Sequence, residues 1–266
     1  MGRSLASYLG RSSEDARKKA AAEICLRVED LEKAGYYYNV SFEIQKGECV
    51  GLFGSAGSGK SEIIKTLAGL MSYDKGLVVM NGQKLRPTEG PYTRLRKGIG
   101  YFSGETGKEL CLHWSIAKNI SLLNMEKVLR FGRLIISKVR EAALGENCMK
   151  ALNIRAPSVH TLCYSLSGGN KQKVSIAKWF ERKPSLLLLE NPTMGIDVGA
   201  REDIYQILLR MKKEGMAMLL VSDDPKEYAT LCDKVLYIKG GHIESVWSAD
   251  EYKKALGEKA KKALEV

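Results

Sequence analysis

An α/β fold with a mostly parallel sheet covered by helices on both faces is predicted from three observations. The first is a strand, loop and helix in succession. The apolar run Cys49-Val50-Gly51-Leu52-Phe53 leads into a glycine-rich loop ending Gly59-Lys60-Ser61, and Ile63, Ile64, Leu67 and Leu70 then recur at helical spacing. The second is alternation after residue 166. The buried-strand runs Leu186–Leu189 and Met216–Val221 are separated by a stretch with Ile204, Ile207, Leu208 and Met211 on one helical stripe. The third is bulk, since 266 residues at 44% hydrophobic can bury a full core, as one large domain or a core plus a subdomain.

In chain order, residues 1–23 read as a charged linker or N-terminal arm. Residues 24–103 carry the first strands, the glycine-rich loop and its helix. Residues 104–164 read mainly helical, with Ile116, Ile120, Leu122, Val128, Leu129, Leu134 and Ile135 among the apolar positions. Gly240-Gly241 joins two short strands as a hairpin, and the basic, alanine-rich tail of residues 249–266 reads as a helix.

The loop Gly54-Ser55-Ala56-Gly57-Ser58-Gly59-Lys60-Ser61 is a complete G-x-x-x-x-G-K-S phosphate-binding motif, followed directly by Glu62. Its glycines let successive backbone N–H groups turn inward around phosphates, and the helix N-terminus adds partial positive charge. Lys60 is placed to reach the terminal phosphates, and the Ser61 hydroxyl to ligate Mg2+.

A second motif, Leu166-Ser167-Gly168-Gly169-Asn170, follows, with Ser167 where a helix N-cap belongs. With the phosphate loop before it, this motif makes the chain resemble the nucleotide-binding domains of ATP-binding cassette (ABC) transporters. The resemblance covers nearly the whole length. It implies a P-loop NTPase core with a mostly parallel sheet, an antiparallel β subdomain, and a helical subdomain at about residues 104–164 that contacts a permease. Residues 24–248 would form the cassette and bind ATP with Mg2+. In this family Ser167, Gly168, Gly169 and Asn170 would act on the nucleotide of a second cassette, in tandem or on a separate chain.

The next motif departs from the family. The usual pattern is four apolar residues followed by Asp-Glu-Pro-Thr; here Leu186–Leu189 precede Glu190-Asn191-Pro192-Thr193. Pro192 fixes the register. Glu190 then stands at the Mg2+ carboxylate position and Asn191 at the position of the catalytic glutamate. An Asn191 amide can orient a water but cannot take its proton, and loss of a general base typically costs a factor of roughly 100 to 10,000. Impaired hydrolysis at this chain's own site is therefore expected. The competing reading has Glu190 acting as the base, against which stands the alternation of adjacent strand residues between opposite faces. Gly195–Arg201 resembles the loop that runs between paired cassettes, and its Asp197 is also placed to cap the following helix. Where the family expects a switch histidine, the chain has Asp223, whose carboxylate would repel a γ-phosphate.

The wording of several motifs narrows the resemblance to the second cassette of the tandem ATPases that drive ribose, galactose and xylose importers. They are Leu166–Val174, Gly195–Arg201, Asn119-Ile120-Ser121-Leu122 and Lys239-Gly240-Gly241-His242-Ile243. Met1-Gly2-Arg3 resembles the linker before that cassette. The implied partners are the second cassette, an integral-membrane permease and, indirectly, a solute-binding protein. The implied location is cytoplasmic, peripheral on the inner face of the membrane. In the segment Ile99–Glu109 the family has Tyr-Val-Pro-Glu-Asp; here Glu105 is the candidate metal-sensing acid, and a solvated loop carboxylate is the equal alternative. The aromatic on which adenine stacks falls among Tyr36, Tyr37 and Tyr38, with Tyr36 favoured by position.

Composition bounds the rest. No apolar run approaches the ~20 residues of a membrane span. The six cysteines lack C-x-x-C spacing and read as reduced core thiols, and His113, His160 and His242 form no metal pattern. Lys and Arg number 42 against 31 Asp and Glu, a net charge of +11. No aromatic-basic pattern accompanies the surplus, so nucleic acid is not an expected partner. Two other readings are a regulatory ATP-binding module without turnover, and a soluble ABC ATPase unconnected with transport.

Overall fold

A computed structural model describes residues 23–130 and 135–264. The expected N-terminal arm lies outside the described residues except for its last position, as do Leu134 and the last two residues of the tail. The chain forms two compact units. Of the described residues, one takes in those up to Tyr101, then Ser185–Glu190, then those from Lys212 onward; the other takes in those between Phe102 and Pro184 and Asn191–Met211.

In the first unit, β1 (Ile24–Lys33), β2 (Tyr37–Gln45), β4 (Lys75–Met80) and β5 (Gln83–Leu85) form a sheet in the order β2-β1-β4-β5. Its pairings are antiparallel. A second sheet runs β12-β11-β3-β10-β9-β6, from β3 (Cys49–Phe53), β6 (Ile99–Phe102), β9 (Leu186–Glu190), β10 (Ala217–Val221), β11 (Lys234–Lys239) and β12 (His242–Ser248). The strands β11, β3, β10 and β9 are mutually parallel, and β12 turns back antiparallel on β11.

The reason for continuous apolar runs in β9 and β10 is burial on both faces, as parallel strands require. Leu186 and Leu188 join the core with Val50, Leu52, Ala217, Leu219, Val221, Leu236 and Ile238, while the intervening Leu187, Leu189, Met218 and Leu220 are buried as well. Onto this core packs α1 (Lys60–Leu67) through Ile63, Ile64 and Leu67. The stripe predicted to reach Leu70 stops short. The helix ends at Leu67, Gly69 turns the chain at φ +78°, and Leu70 is exposed. After α2 (Pro91–Arg96), the remaining helices of this unit are α9 (Pro225–Leu231) and α10 (Ala249–Leu264).

The second unit is mainly helical: α3 (Thr106–Glu109), α4 (Ile116–Ser121), α5 (Met125–Val128), α6 (Lys138–Ala151), α7 (Gly168–Arg182) and most of α8 (Val198–Lys213). Leu129 and Ile135, read with the helical positions, lie instead in a two-residue antiparallel pair, β7 (Leu129–Arg130) with β8 (Ile135–Ile136). The six cysteines carry free thiols, all buried except Cys111. Burial pushes the Cys25 and Cys163 thiols up to about 11. Among the described residues, no helix is long and apolar enough to cross a membrane.

Candidate functional site

At the carboxyl edge of the parallel sheet, β3, β10 and β9 end side by side, the place where open α/β sheets put their ligand sites. β3 runs into the loop Gly54–Gly59 and α1, β10 into Ser222-Asp223-Asp224, and β9 ends on Glu190.

The loop is built to face an anion. Gly59 stands at the N-cap of α1 with φ +97°, and no side chain caps the helix, so its first N–H groups are left for a ligand. Only glycine fits there, since a Cβ would lie 2.6 Å from the Tyr36 carbonyl oxygen. Ser55, Ala56 and Gly57 are exposed, while Gly54, Ser58 and Lys60 are buried and Ser61 and Glu62 are half-buried. The Ser58 hydroxyl is buried without a hydrogen-bond partner, an orphaned group of the kind a bound phosphate satisfies. The residues present thus fit a polyphosphate.

Lys60 holds its ammonium against the segment after β10, donating to the Ser222 carbonyl at 3.2 Å and to Asp223 Oδ1 at 3.0 Å. That segment is itself pinned. The buried Tyr228 hydroxyl of α9 accepts from Ser222 N–H at 2.7 Å and donates toward the Leu52 and Ser222 carbonyls, both 2.8 Å away. Burial pushes the Tyr228 phenol up, so it stays a neutral donor. Replacing Tyr228 with phenylalanine leaves the Ser222 N–H and the Leu52 carbonyl short of this partner. The expected loss is about 1–3 kcal/mol of stability, measured by urea denaturation. A midpoint unchanged from wild type would contradict this role.

Glu190, half-buried at the end of β9, accepts from the Tyr101 hydroxyl through Oε2, and its Oε1 lies 3.9 Å from the Lys65 ammonium. A carboxylate and the Ser61 hydroxyl are hard oxygen donors suited to Mg2+. Among the described residues no cluster of three or more His, Cys, Asp or Glu side chains forms a metal site on its own. A divalent ion here would complete its shell with phosphate oxygens and water, as Mg2+ ordinarily does.

The three tyrosines separate by environment. Tyr37 is fully buried, bonded to Thr66 Oγ1 at 2.8 Å, and desolvation pushes its phenol up to about 12; this removes it as a stacking surface. Tyr36 and Tyr38 are exposed. The Tyr36 backbone lies against Gly59. Tyr38 stacks on His242, ring centroids 5.5 Å apart, and its N–H donates to Gly241 O at 2.9 Å, while Gly241 N–H donates to Ser58 O at 3.1 Å. The β11–β12 hairpin is thereby tied to the phosphate loop.

The other unit holds the remaining candidates. Ser167 caps α7, its hydroxyl accepting from Asn170 N–H at 3.4 Å and from Asn170 Nδ2 at 2.9 Å. Ser167 and Gly168 are exposed, and Asn170 Oδ1 accepts from Arg155 N–H at 2.8 Å. Gly169 packs against Ala200, where an added Cβ would sit 2.6 Å from the Ala200 methyl, so the Ser167–Asn170 motif and the Gly195–Arg201 loop lie together. Asp197 caps α8 through Ala200 N–H at 2.9 Å. Asn191 opens this unit's second segment with a left-handed φ of +48°, and Met194 N–H donates to its carbonyl at 3.1 Å. The strand stops at Glu190, so alternation along a strand says nothing about where Asn191 points.

Glu105 pairs with Lys108 of its own helical turn at 2.7 Å. The anchored carboxylate of that segment is Glu109, which accepts from Ser103 N–H and Oγ and pairs with Lys178 at 3.0 Å. Sequence reasoning missed Tyr101, Lys65, Tyr228 and His242 as parts of the first unit's site. Their partners are distant in sequence or, for Tyr228 and Ser222, met only once α9 folds back. No spacing rule signals such pairs.

A model of the ABC transporter family matches residues 37–194. The ribose import ATP-binding protein RbsA of Bacillus cereus is 35% identical over 236 residues, 88% of this chain and 47% of that protein. A putative ribose/galactose/methyl galactoside import ATP-binding protein of Halalkalibacterium halodurans is 33% identical over 240 residues, 89% of this chain and 45% of its own length. The chain thus spans about half the length of these curated relatives. Among solved structures, a dimeric post-hydrolysis state of an ATP-binding cassette bound to ADP and Pi superposes with a TM-score of 0.69 at 23% identity. The match covers 84% of this chain and 98% of that one.

Proposed function

The chain belongs to the ABC transporter family, and we propose that it is the nucleotide-binding domain of an importer for sugars or related small polar solutes. The observation that carries the nucleotide reading is the phosphate loop, with its uncapped helix N-terminus and the orphaned Ser58 hydroxyl beside Lys60. The importer reading rests on relatives whose names specify ribose or galactose import.

In this reading the N–H groups of Gly54–Ser61 and Lys60 hold the phosphates, Tyr36 or Tyr38 offers a face to adenine, and Ser61 and Glu190 hold Mg2+. When bound, Mg2+ neutralises charge on the β- and γ-phosphates. The Asn191 amide orients water without accepting its proton, so hydrolysis at this chain's own site is impaired. Ser167–Asn170, with Ser167 and Gly168 exposed at the N-terminus of α7, serve the nucleotide of a second cassette. ATP-driven closure of the pair is passed to an integral-membrane permease, with the chain peripheral on the cytoplasmic face and a solute-binding protein delivering the substrate.

Asn191 also favours a second reading, a regulatory module that binds ATP without turnover. The test is ATP binding by calorimetry with and without Mg2+, beside single-turnover hydrolysis and co-purification with a multi-spanning permease. Binding with barely detectable hydrolysis, and a permease in the complex, is the expected result. Turnover at an ordinary ABC rate would refute the impaired site, absence of any permease would favour the regulatory module, and failure to bind ATP would end both readings.

A further inference from the structure

We propose that Asp223 is a specificity-determining residue that disfavours nucleoside triphosphate relative to diphosphate, by holding a carboxylate on the phosphate loop's own lysine. The inference rests on reading residues 54–61 as a nucleotide site.

Lys60 is buried, and its ammonium contacts the Ser222 carbonyl and Asp223 Oδ1, the latter at 3.0 Å. A carboxylate oxygen therefore takes one of the three N–H donors of the ammonium that a terminal phosphate would also use. Asp223 itself faces solvent, with 78% of its side chain exposed, so holding a charge there costs little desolvation.

The backbone on either side of it is fixed. Ser222 is held by the Tyr228 hydroxyl at 2.7 Å, Asp224 N–H donates to Ser222 Oγ at 2.9 Å, and Asp224 Oδ1 caps α9 through Lys226 N–H at 2.9 Å. The segment cannot carry the Asp223 carboxylate away from Lys60 without breaking these bonds.

A ligand phosphate reaching Lys60 meets the Asp223 carboxylate on the same ammonium, whether it displaces the ion pair or binds beside it. The penalty grows with the charge brought close to it. Coulomb energy falls with distance and is screened in water, so a γ-phosphate on Lys60 meets more repulsion than a β-phosphate one group farther back. The separation of effects is on the order of tenfold for a triphosphate and less than about threefold for a diphosphate.

The experiment is calorimetric titration of ATP and of ADP into the full chain and into Asp223→Asn, with Asp223→Ser as a second neutral variant, at low and at high salt. The expected result is an ATP affinity raised about tenfold, an ADP affinity changed less than about threefold, and a difference that shrinks as salt rises. Equal gains for both nucleotides would overturn the discrimination, and unchanged affinities would overturn any role of the ion pair. Binding of neither nucleotide by any of the proteins would refute the nucleotide reading and this inference with it.

Discussion

Replacing Asn191 with glutamate is expected to raise single-turnover ATP hydrolysis by roughly 100-fold or more. On the function proposed above, the uncapped α1 and Lys60 hold the phosphates, and a carboxylate stands at Glu190. What the sequence lacks at the next position is a group able to accept a proton. The backbone sets a limit on the gain. Asn191 sits at φ +48°, a region that Asn tolerates better than Glu, so the variant should also lose about 1 kcal/mol of stability. Rapid-quench measurement of the first turnover, paired with a thermal melt, separates the two effects. A folded variant with no faster first turnover would mean that the missing base is not what limits this site.

The second large effect is expected at Gly59. An alanine there combines a φ of +97° with a Cβ only 2.6 Å from a backbone carbonyl, that of Tyr36. Flexible side chains can give way to a methyl, whereas this oxygen belongs to the residue that leads into β2. Relief requires moving either that strand or the start of α1. We expect a loss of about 2–4 kcal/mol and the disappearance of measurable ATP binding. Chemical denaturation and calorimetry on Gly59→Ala would check both, and near-wild-type values in the two assays would be incompatible with the loop described.

What can be read from the sequence follows the range of the interactions involved. The strand, loop and helix at residues 49–67 are local, and apolar spacing with glycine placement suffices to see them. Spacing alone overextends α1, because Leu70 keeps the helical period and the period does not register that Gly69 has turned the chain. Tyr36, Tyr37 and Tyr38 are equivalent as letters. They are told apart by Thr66, which takes the Tyr37 hydroxyl, and by His242, which takes the Tyr38 ring. Glu105 and Glu109 are likewise two carboxylates in one short segment until Ser103 and Lys178 single out the second. The ion pair of Lys60 with Asp223 and the contact of Tyr101 with Glu190 depend on strand order, which periodicity does not encode.

Strand order has a further consequence for how the chain is made. β3, which carries the phosphate loop, ends at Phe53, and both strands that pair with it, β10 and β11, begin only at Ala217 and Lys234. During synthesis at roughly 5–20 residues per second, the apolar strand Cys49–Phe53 waits on the order of ten seconds or more before either neighbour exists. The antiparallel sheet of β1, β2, β4 and β5 needs only nearby chain and can assemble in that interval. Until β10 and β11 are made, the strand that leads into the Gly54–Gly59 loop has an unpaired edge on each side, which exposes the nascent chain to aggregation and to chaperone capture.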